Sequence, residues 1–148
     1  MKRVVGYAPG AYDLFHVGHL NLLRHAKSQC DYLVVGVVSD EKCESSKGVR
    51  PFVPLIERAE IVRNIAFVDE VYEEHVPTKL DAWRDVRFDR IFKGDDWRGT
   101  HKGQQLEQDF AAVGVEVVYF PYTVHTSSSM LRRALSYTLP GDQSLSNY

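Results

Sequence analysis

The stretch Tyr32–Val38, Tyr-Leu-Val-Val-Gly-Val-Val, constrains the fold more than any other part of the chain. It is almost entirely apolar, rich in β-branched residues, and shows no alternation between apolar and polar positions. A strand with this composition is buried on both faces, which is typical of the centre of a parallel sheet. The stretch therefore predicts a central strand covered on both sides.

Further apolar runs alternate with helical patterns along the chain. Strands are predicted at residues 4–7, 90–93 and 115–120, with a short one at 71–72, and helices at 17–29, 55–65, 104–113 and 127–137. This alternation predicts a single α/β domain, a Rossmann-like, doubly wound parallel sheet with right-handed crossovers. We assign the domain to residues 1–137 and expect the polar segment 138–148 to be a flexible tail.

Composition excludes several classes of protein. The 148 residues are 44% hydrophobic and 26% charged, and a chain of this length can form its core without a disulfide or metal. The formal net charge of −2 gives no basic excess for binding nucleic acid. The two cysteines form no C-x-x-C pair, and no apolar run approaches the length of a membrane span. We therefore expect a cytoplasmic protein with reduced thiols and no nucleic-acid or membrane partner.

A pair of histidines follows the first predicted strand. His16 and His19 are separated by Val-Gly and lie where that strand gives way to the first predicted helix. The N-terminus of a helix offers unpaired N–H groups and a partial positive charge, which suit phosphate oxygens. Gly18 lets a phosphate approach the backbone closely, and imidazoles can donate hydrogen bonds to it. The arrangement predicts a polyphosphate site.

Two other interpretations of the histidines fit their surroundings less well. A zinc site needs three or four ligands, and no third ligand has a suggestive spacing. Two surface histidines would not explain the neighbouring Asp13 and Gly18 at a strand-to-helix junction. Two later segments, 94–97 and 123–129, also follow predicted strands. Because ligands of such sheets bind beyond the carboxyl ends of the strands, we expect all three segments to meet on one face.

The segment 10–19 resembles the HxGH motif of a nucleotidyltransferase superfamily. The chain is most similar to its cytidylyltransferase family, in particular to the glycerol-3-phosphate cytidylyltransferase group, from Arg3 to about Leu135. The resemblance implies that His16 and His19 bind the triphosphate and stabilise charge in the transition state. It also implies nucleotide contacts from four of their neighbours: Gly10, Ala11, Tyr12 and Gly18.

Two more segments carry the resemblance. Residues 94–99, Gly-Asp-Asp-Trp-Arg-Gly, look like the GDDW-type motif of the same group, which implies that Asp96 and Trp97 contact the nucleotide. Taken alone, this segment could be a turn and Trp97 an ordinary core residue. The start of the last helix resembles the family's RTEGISTT-like segment through four hydroxyl residues expected at the nucleotide phosphates: Thr123, Ser127, Ser128 and Ser129. A serine-rich helix cap is the structural alternative.

The resemblance also implies a metal ion and two cations beside the phosphates. Asp13 and Asp96 correspond to aspartates near a divalent metal, and carboxylates together with triphosphate oxygens suit Mg²⁺. Asp13 could equally only organise its turn through hydrogen bonds. Lys47 and Arg58 match a lysine in a loop and an arginine on a helix, near the acceptor and nucleotide phosphates. Solvated surface charge is the alternative for Arg58, and also for the neighbouring loop residue Arg50.

The chain departs from the family at two arginines. Tyr122 stands where the family's third segment opens with an arginine, and Ala66 stands where an arginine precedes an aromatic residue. We expect Arg132 or Arg133 to replace the first charge. We expect Arg63, one helical turn before Ala66, to replace the second.

These resemblances imply a homodimeric, CTP-dependent cytidylyltransferase. An oxygen of a phosphorylated or phosphonate alcohol, such as glycerol-3-phosphate, would attack the α-phosphorus of CTP in line and release pyrophosphate. One alternative is an adenylyltransferase acting on a sugar phosphate or a cofactor precursor, which the stretch 47–51 resembles. The other is a nucleotide-binding module without catalysis. Pyrophosphate release with CTP, with ATP or with neither distinguishes the three.

Overall fold

A five-stranded, all-parallel sheet lies between two layers of helices. The computed structural model describes residues 2–121 and 127–138. The strands are β1 Val5–Gly10, β2 Tyr32–Val38, β3 Glu70–Glu74, β4 Arg90–Gly94 and β5 Glu116–Phe120. The helices are α1 Val17–Ser28, α2 Asp40–Lys47, α3 Leu55–Arg63, α4 Lys79–Val86, α5 His101–Ala111 and α6 Ser128–Thr138, and a 3₁₀ turn covers Asp95–Trp97.

The order of the strands places a crevice beside β1. The sheet order is β3-β2-β1-β4-β5, so the chain winds outward from β1 on one side and then adds β4 and β5 on the other. β1 pairs with β2 along its whole length, but with β4 only at Gly6 and Tyr7. The carboxyl ends of β1 and β4 are therefore free to line a ligand site at the point where the strand order reverses. The predicted Rossmann-like, doubly wound parallel sheet is confirmed.

Two apolar clusters hold the sheet against its helices. One face packs on Leu23 of α1 and Val62 of α3, and the other packs on Phe110 of α5. β2, predicted to be buried on both sides, contributes Val35 to the first cluster and Val34 to the second. Alternate residues of a strand point to opposite faces, so a strand covered on both sides carries apolar residues throughout.

Sequence periodicity missed two helices, α2 and α4. Both span only eight residues, too few for a long apolar stripe, and both have defined caps. α2 is largely polar, whereas four apolar residues of α4 pack in the second cluster: Leu80, Ala82, Trp83 and Val86. The Ser39 side chain accepts a hydrogen bond at the start of α2, and Gly48 ends that helix with φ 75°, a conformation that favours glycine. Thr78 and Asp81 cap the start of α4 reciprocally. The lysine expected in a loop, Lys47, is therefore the last residue of a helix.

The end of the chain is described as far as α6. That helix runs to Thr138, one residue beyond the predicted boundary, and the predicted tail from 139 onward lies outside the described residues. Within 2–121 and 127–138, no helix combines the length and the apolar character needed to cross a membrane.

Candidate active site

A cavity of about 280 Å³ opens at the carboxyl ends of β1, β4 and β5. Most of the residues singled out in the sequence line it: Gly10, Ala11, Tyr12, Asp13, His16, Gly18, His19, Lys47, Ser127, Ser128 and Ser129. Three of the described candidates lie outside this lining: Arg58, Asp96 and Trp97. Thr123 falls outside the described residues. Because Gly94 also lines the cavity, residues from all three predicted segments meet there.

The two histidines form the cap of α1 and hold each other in place. His16 is the N-cap residue, and its Nδ1 accepts a hydrogen bond from the Gly18 N–H at 3.0 Å. The His16 N–H in turn donates to His19 Nδ1 at 3.3 Å, and the two ring centroids are 4.0 Å apart. Since each Nδ1 accepts a hydrogen bond, the proton of each neutral ring is inferred to lie on Nε2. The capping geometry thus selects one tautomer for both rings.

Burial keeps both imidazoles neutral at pH 7. It lowers the pKa of His16, and it lowers the pKa of His19 to about 4, with a further contribution from the charge of His16. Ser128 Oγ donates to the Asp13 carbonyl at 2.6 Å and lies 3.3 Å from His19 Nε2. With its own proton used, the Ser128 hydroxyl accepts from the His19 Nε2–H. The first helix and the last are therefore joined at the cavity.

The loop between β1 and α1 is held in a strained conformation. Tyr12 and Leu14 have φ values of 53° and 52°, in the left-handed region that non-glycine residues rarely adopt. Such residues cost on the order of 1–3 kcal/mol each and persist only where their surroundings fix them. Here the Tyr12 hydroxyl donates to the Ala8 carbonyl at 2.9 Å, and its ring is buried in the core. The strain falls on both sides of Asp13.

Asp13 organises the loop by accepting three hydrogen bonds. Its carboxylate accepts from the Phe52 and Val53 N–H groups and from Arg132 Nη2, each at 2.9 Å. Burial opposes ionisation of this group, but the two backbone donors and the Arg132 charge keep the pKa of Asp13 below its usual range. Asp13 is therefore an ionised, 1% exposed carboxylate whose oxygens are both engaged.

The two carboxylates expected to hold Mg²⁺ do not fit a shared ion site. Asp13 already satisfies three donors, whereas Asp96 is exposed and outside the cavity lining. Within the residues that the structure describes, no group of three or more histidine, cysteine, aspartate or glutamate side chains is placed to hold a metal. The described protein side chains therefore do not form a metal site by themselves.

The placement of Arg58 corrects the expectation that it holds phosphate oxygens. The side chain is 1% exposed, and its donors reach the carbonyls of Val53, Ala11 and Val38 and the carboxylate of Asp40. A guanidinium has five N–H groups, so four of them are already used inside the protein. Arg58 is therefore a buried residue whose hydrogen bonds connect the segments behind the cavity.

The candidate replacement arginines lie in different places. Arg132 lines the cavity, bonds Asp13, and has an Nε that is buried without a hydrogen-bond partner among the described residues. Arg133 is exposed, and Arg63 pairs with Glu60 on the surface of α3. Of the three, Arg132 is the one that brings positive charge to the site.

The segment that follows β4 forms a compact turn. Asp95 pairs with Arg98 at 2.8 Å, and the ring of Trp97 carries the ammonium of Lys93 at 3.9 Å from its centroid. Sequence reasoning treated Lys93 only as the end of a strand. The feature of the sequence that could have marked Lys93 as functional is a charge near the end of a buried strand, directly before Gly94, which lines the cavity.

The family follows from direct comparison. Residues 7–134 match the model of the cytidylyltransferase-like family. The chain is 34% identical over 137 residues to the glycerol-3-phosphate cytidylyltransferase of Bacillus subtilis (strain 168), a match covering 92% of this chain and 98% of that protein. The chain belongs to the cytidylyltransferase-like family. It is a nucleotidyltransferase, as the resemblance of the segment 10–19 to the HxGH motif predicts.

Other proteins similar to this chain have different names. The chain is 35% identical over 122 residues to an FAD synthase of Thermococcus onnurineus (strain NA1), covering 82% of this chain and 81% of that protein. Among solved structures, the lipopolysaccharide core biosynthesis protein of Thermoplasma volcanium GSS1 superposes with a TM-score of 0.71, covers 84% of this chain and 100% of its own, and is 22% identical. That structure supports the fold alone.

Proposed function

We propose that this enzyme transfers CMP from CTP to a small phosphorylated alcohol, with glycerol-3-phosphate as the first candidate, and releases pyrophosphate. The observation that carries the proposal is the pair of neutral imidazoles beside the N-terminus of α1, at a cavity: both Nδ1 atoms are used in the helix cap, the Nε2–H of His16 is available, and that of His19 is shared with Ser128. An acceptor phosphate oxygen forms a bond to the α-phosphorus while the bond from that phosphorus to the bridging oxygen of pyrophosphate breaks. No covalent intermediate with the enzyme is needed.

The imidazoles act as hydrogen-bond donors. The Nε2–H of His16 binds an oxygen of the triphosphate, and that of His19 does so by exchanging Ser128 Oγ for a phosphate oxygen. Both stabilise the charge that develops as the pyrophosphate leaves. Because each ring is locked by its Nδ1, little reorganisation is needed when the nucleotide binds. The backbone around Gly18 lets the phosphates approach the first turn of α1.

The remaining cavity residues divide between the two substrates. We assign the leaving phosphates to the N-terminus of α6, where Ser127 and Ser129 offer hydroxyls, together with Arg132. Ser128 lines the same place, but its hydroxyl donates to the Asp13 carbonyl, so its phosphate contact stays a prediction. Lys47 is assigned to the acceptor phosphate. Nucleotide contacts from Asp96, Trp97 and Thr123 stay predictions, as do those from the strained loop 10–12.

The nucleotide itself is the main alternative. FAD, the product named in one relative, contains adenine, so ATP with a cofactor precursor or a sugar phosphate is the second candidate. The length of the match to the glycerol-3-phosphate cytidylyltransferase, 92% of this chain, favours CTP.

The test is pyrophosphate release, measured for CTP and ATP with a panel of phosphorylated acceptors that includes glycerol-3-phosphate. Each pair is assayed with and without MgCl₂, which also tests the magnesium expectation. Release with CTP and one acceptor supports the proposal, and release only with ATP contradicts it. Nucleotide binding without release from any pair would favour a non-catalytic module. The homodimer stays a prediction that sedimentation equilibrium checks.

Variants of the histidines test the mechanism. His16→Asn and His19→Asn should each lower kcat by about 10²–10³-fold, the loss typical of a single donor to a developing oxyanion. His75→Asn is the matched control, because its side chain is 62% exposed. Near-normal turnover in both cavity variants would overturn the assigned role.

A further inference from the structure

A group of lysines surrounds one buried carboxylate at the carboxyl ends of β3 and β4. Glu74 is fully buried and accepts hydrogen bonds from Tyr7 at 2.6 Å, from Lys42 at 3.0 Å and from Lys79. Burial opposes its ionisation, but the charges of Lys79 and Lys42 and the three hydrogen bonds keep the pKa of Glu74 below its usual range. Two ammonium groups, those of Lys42 and Lys79, therefore already form ion pairs with this single carboxylate.

Two more lysines face the same region without a carboxylate of their own. Lys47 and Lys93 make no ion pair with any residue of the described ranges 2–121 and 127–138. Lys93 is half-buried, and its ammonium lies 3.9 Å from the centroid of the Trp97 ring. An aromatic face attracts a cation but brings no opposite charge. The region therefore carries surplus positive charge.

The charged groups that act on Lys93 come from every neighbouring element. They are Lys79 of α4, Lys47 of α2, Asp96 of the 3₁₀ turn and Glu74 of β3, and Lys102 of α5 lies 5.9 Å from the same Trp97 ring. Burial, followed by the repulsion of Lys79 and Lys47, lowers the pKa of Lys93 to about 7. The binding of an anion beside Lys93 would stabilise its protonated form and raise this pKa.

Lys47 connects this region to the histidines. Its side chain lines the cavity, and its charge is one of those that lower the pKa of His19 as well as that of Lys93. Gly94, which follows Lys93, lines the same cavity. Lys93 itself does not line the cavity, so an anion held by Lys47 and Lys93 would lie at the edge of the cavity that Gly94 forms.

We propose that Lys93 is a specificity-determining residue which, together with Lys47, binds the dianionic phosphate group of the acceptor. This inference rests on the proposed function. The two ammonium groups match the two negative charges of a phosphate monoester, and neither forms an ion pair with a carboxylate of the described residues, although Asp96 and Glu74 act on Lys93 from a distance. Trp97 holds the Lys93 ammonium and shields it from water. Since the anion stabilises the protonated amine, acceptor binding at pH 8 is coupled to uptake of a proton by Lys93.

The test is calorimetry at pH 8 with glycerol-3-phosphate and with inorganic phosphate as probes, in two buffers of different ionisation enthalpy. The wild-type protein should take up protons as it binds. Lys93→Met should weaken binding by about 10–100-fold, the range for a hydrogen bond to a charged group, and should abolish the uptake. Lys93→Arg should bind within about threefold of wild type without proton uptake, because a guanidinium stays charged. Lys102→Met is the control and should behave as wild type.

The outcomes separate this inference from the proposed function. If Lys93→Met binds both probes as wild type does, or if wild type binds neither, the assignment of Lys93 is wrong, whatever nucleotide the enzyme uses. If probe binding depends on Lys93 but no pyrophosphate is released from CTP, the anion site stands and the proposed reaction fails. Unchanged proton uptake in Lys93→Met would assign the titration to another group and overturn the proposal.

Discussion

At the scale of single residues, the two histidines serve structure and chemistry with different atoms. The Nδ1 of each ring is used to close the first turn of α1, which leaves Nε2–H for other partners: a ligand in the case of His16, and Ser128 in the unliganded site in the case of His19. Asp13 divides its work in the same way, since its carbonyl accepts from Ser128 while its carboxylate accepts from Arg132. The residues of the site therefore fix one another before any substrate is present.

Arg132 is predicted to contribute to nucleotide binding. Its Nε is buried without a partner among the described residues, so a phosphate oxygen could satisfy it. Arg132→Met should raise the KM for the nucleotide by about 10–100-fold, the loss expected for a hydrogen bond to a charged group. The exposed neighbour Arg133→Met is the matched control, and steady-state kinetics with varied nucleotide is the measurement. Equal effects of both variants would contradict the assignment.

At the scale of elements, Arg58 connects the segments that carry the site. It bonds the loop after β1 through Ala11, the end of β2 through Val38, the start of α2 through Asp40 and the turn before α3 through Val53. The strained loop after β1 is therefore supported from behind by a charge on α3. We therefore expect Arg58 to influence activity through the position of this loop and not through contact with substrate.

Arg58→Met is predicted to destabilise the protein. The substitution leaves three carbonyls and the Asp40 carboxylate without their donor, so the free energy of unfolding should fall by about 3–5 kcal/mol, as for other broken buried ion pairs. Arg63→Met, at a side chain 48% exposed, should change it by less than about 1 kcal/mol. Urea denaturation measures both. A stable Arg58→Met protein that no longer binds nucleotide would restore the phosphate role that the sequence suggested.

At the scale of the whole molecule, the site carries a cost in stability. Lys93 and His19 are both held in surroundings that disfavour their charged forms, and the loop between β1 and α1 is strained. Strained backbone and destabilised charged groups are common at the functional sites of proteins. An anionic substrate would relieve the repulsion among the lysines.

The stability of the fold should therefore depend on pH in a defined way. The pKa of Lys93 is about 7 in the folded protein and near 10.5 in the unfolded chain, so the unfolded chain binds more protons between these values and stability rises with pH. His19, with a folded pKa of about 4, contributes a similar rise between pH 4 and 6.5.

The variant Lys93→Met isolates the upper part of this dependence. Because it removes the cost of a buried ammonium, its Tm at pH 7 should exceed that of wild type, by about 2–4 °C for each kcal/mol removed. The difference should shrink as the pH approaches 10.5. Thermal melts of both proteins from pH 6 to 10 measure this, and a constant difference would contradict the assigned pKa.

The sequence by itself determined the sheet, the strand-to-helix site and the family, because these depend on local patterns. An apolar run such as Tyr32–Val38, in a chain where strands alternate with helices, is typical of the centre of a parallel sheet, and the histidine pair needs only its own turn of helix to form its cap. The tertiary structure alone decided that Arg58 faces inward and that Arg132 reaches the cavity. It also decided that Lys93 meets Trp97, Lys47 and Lys79. Those roles depend on burial and on charges from distant parts of the chain, which no local pattern encodes.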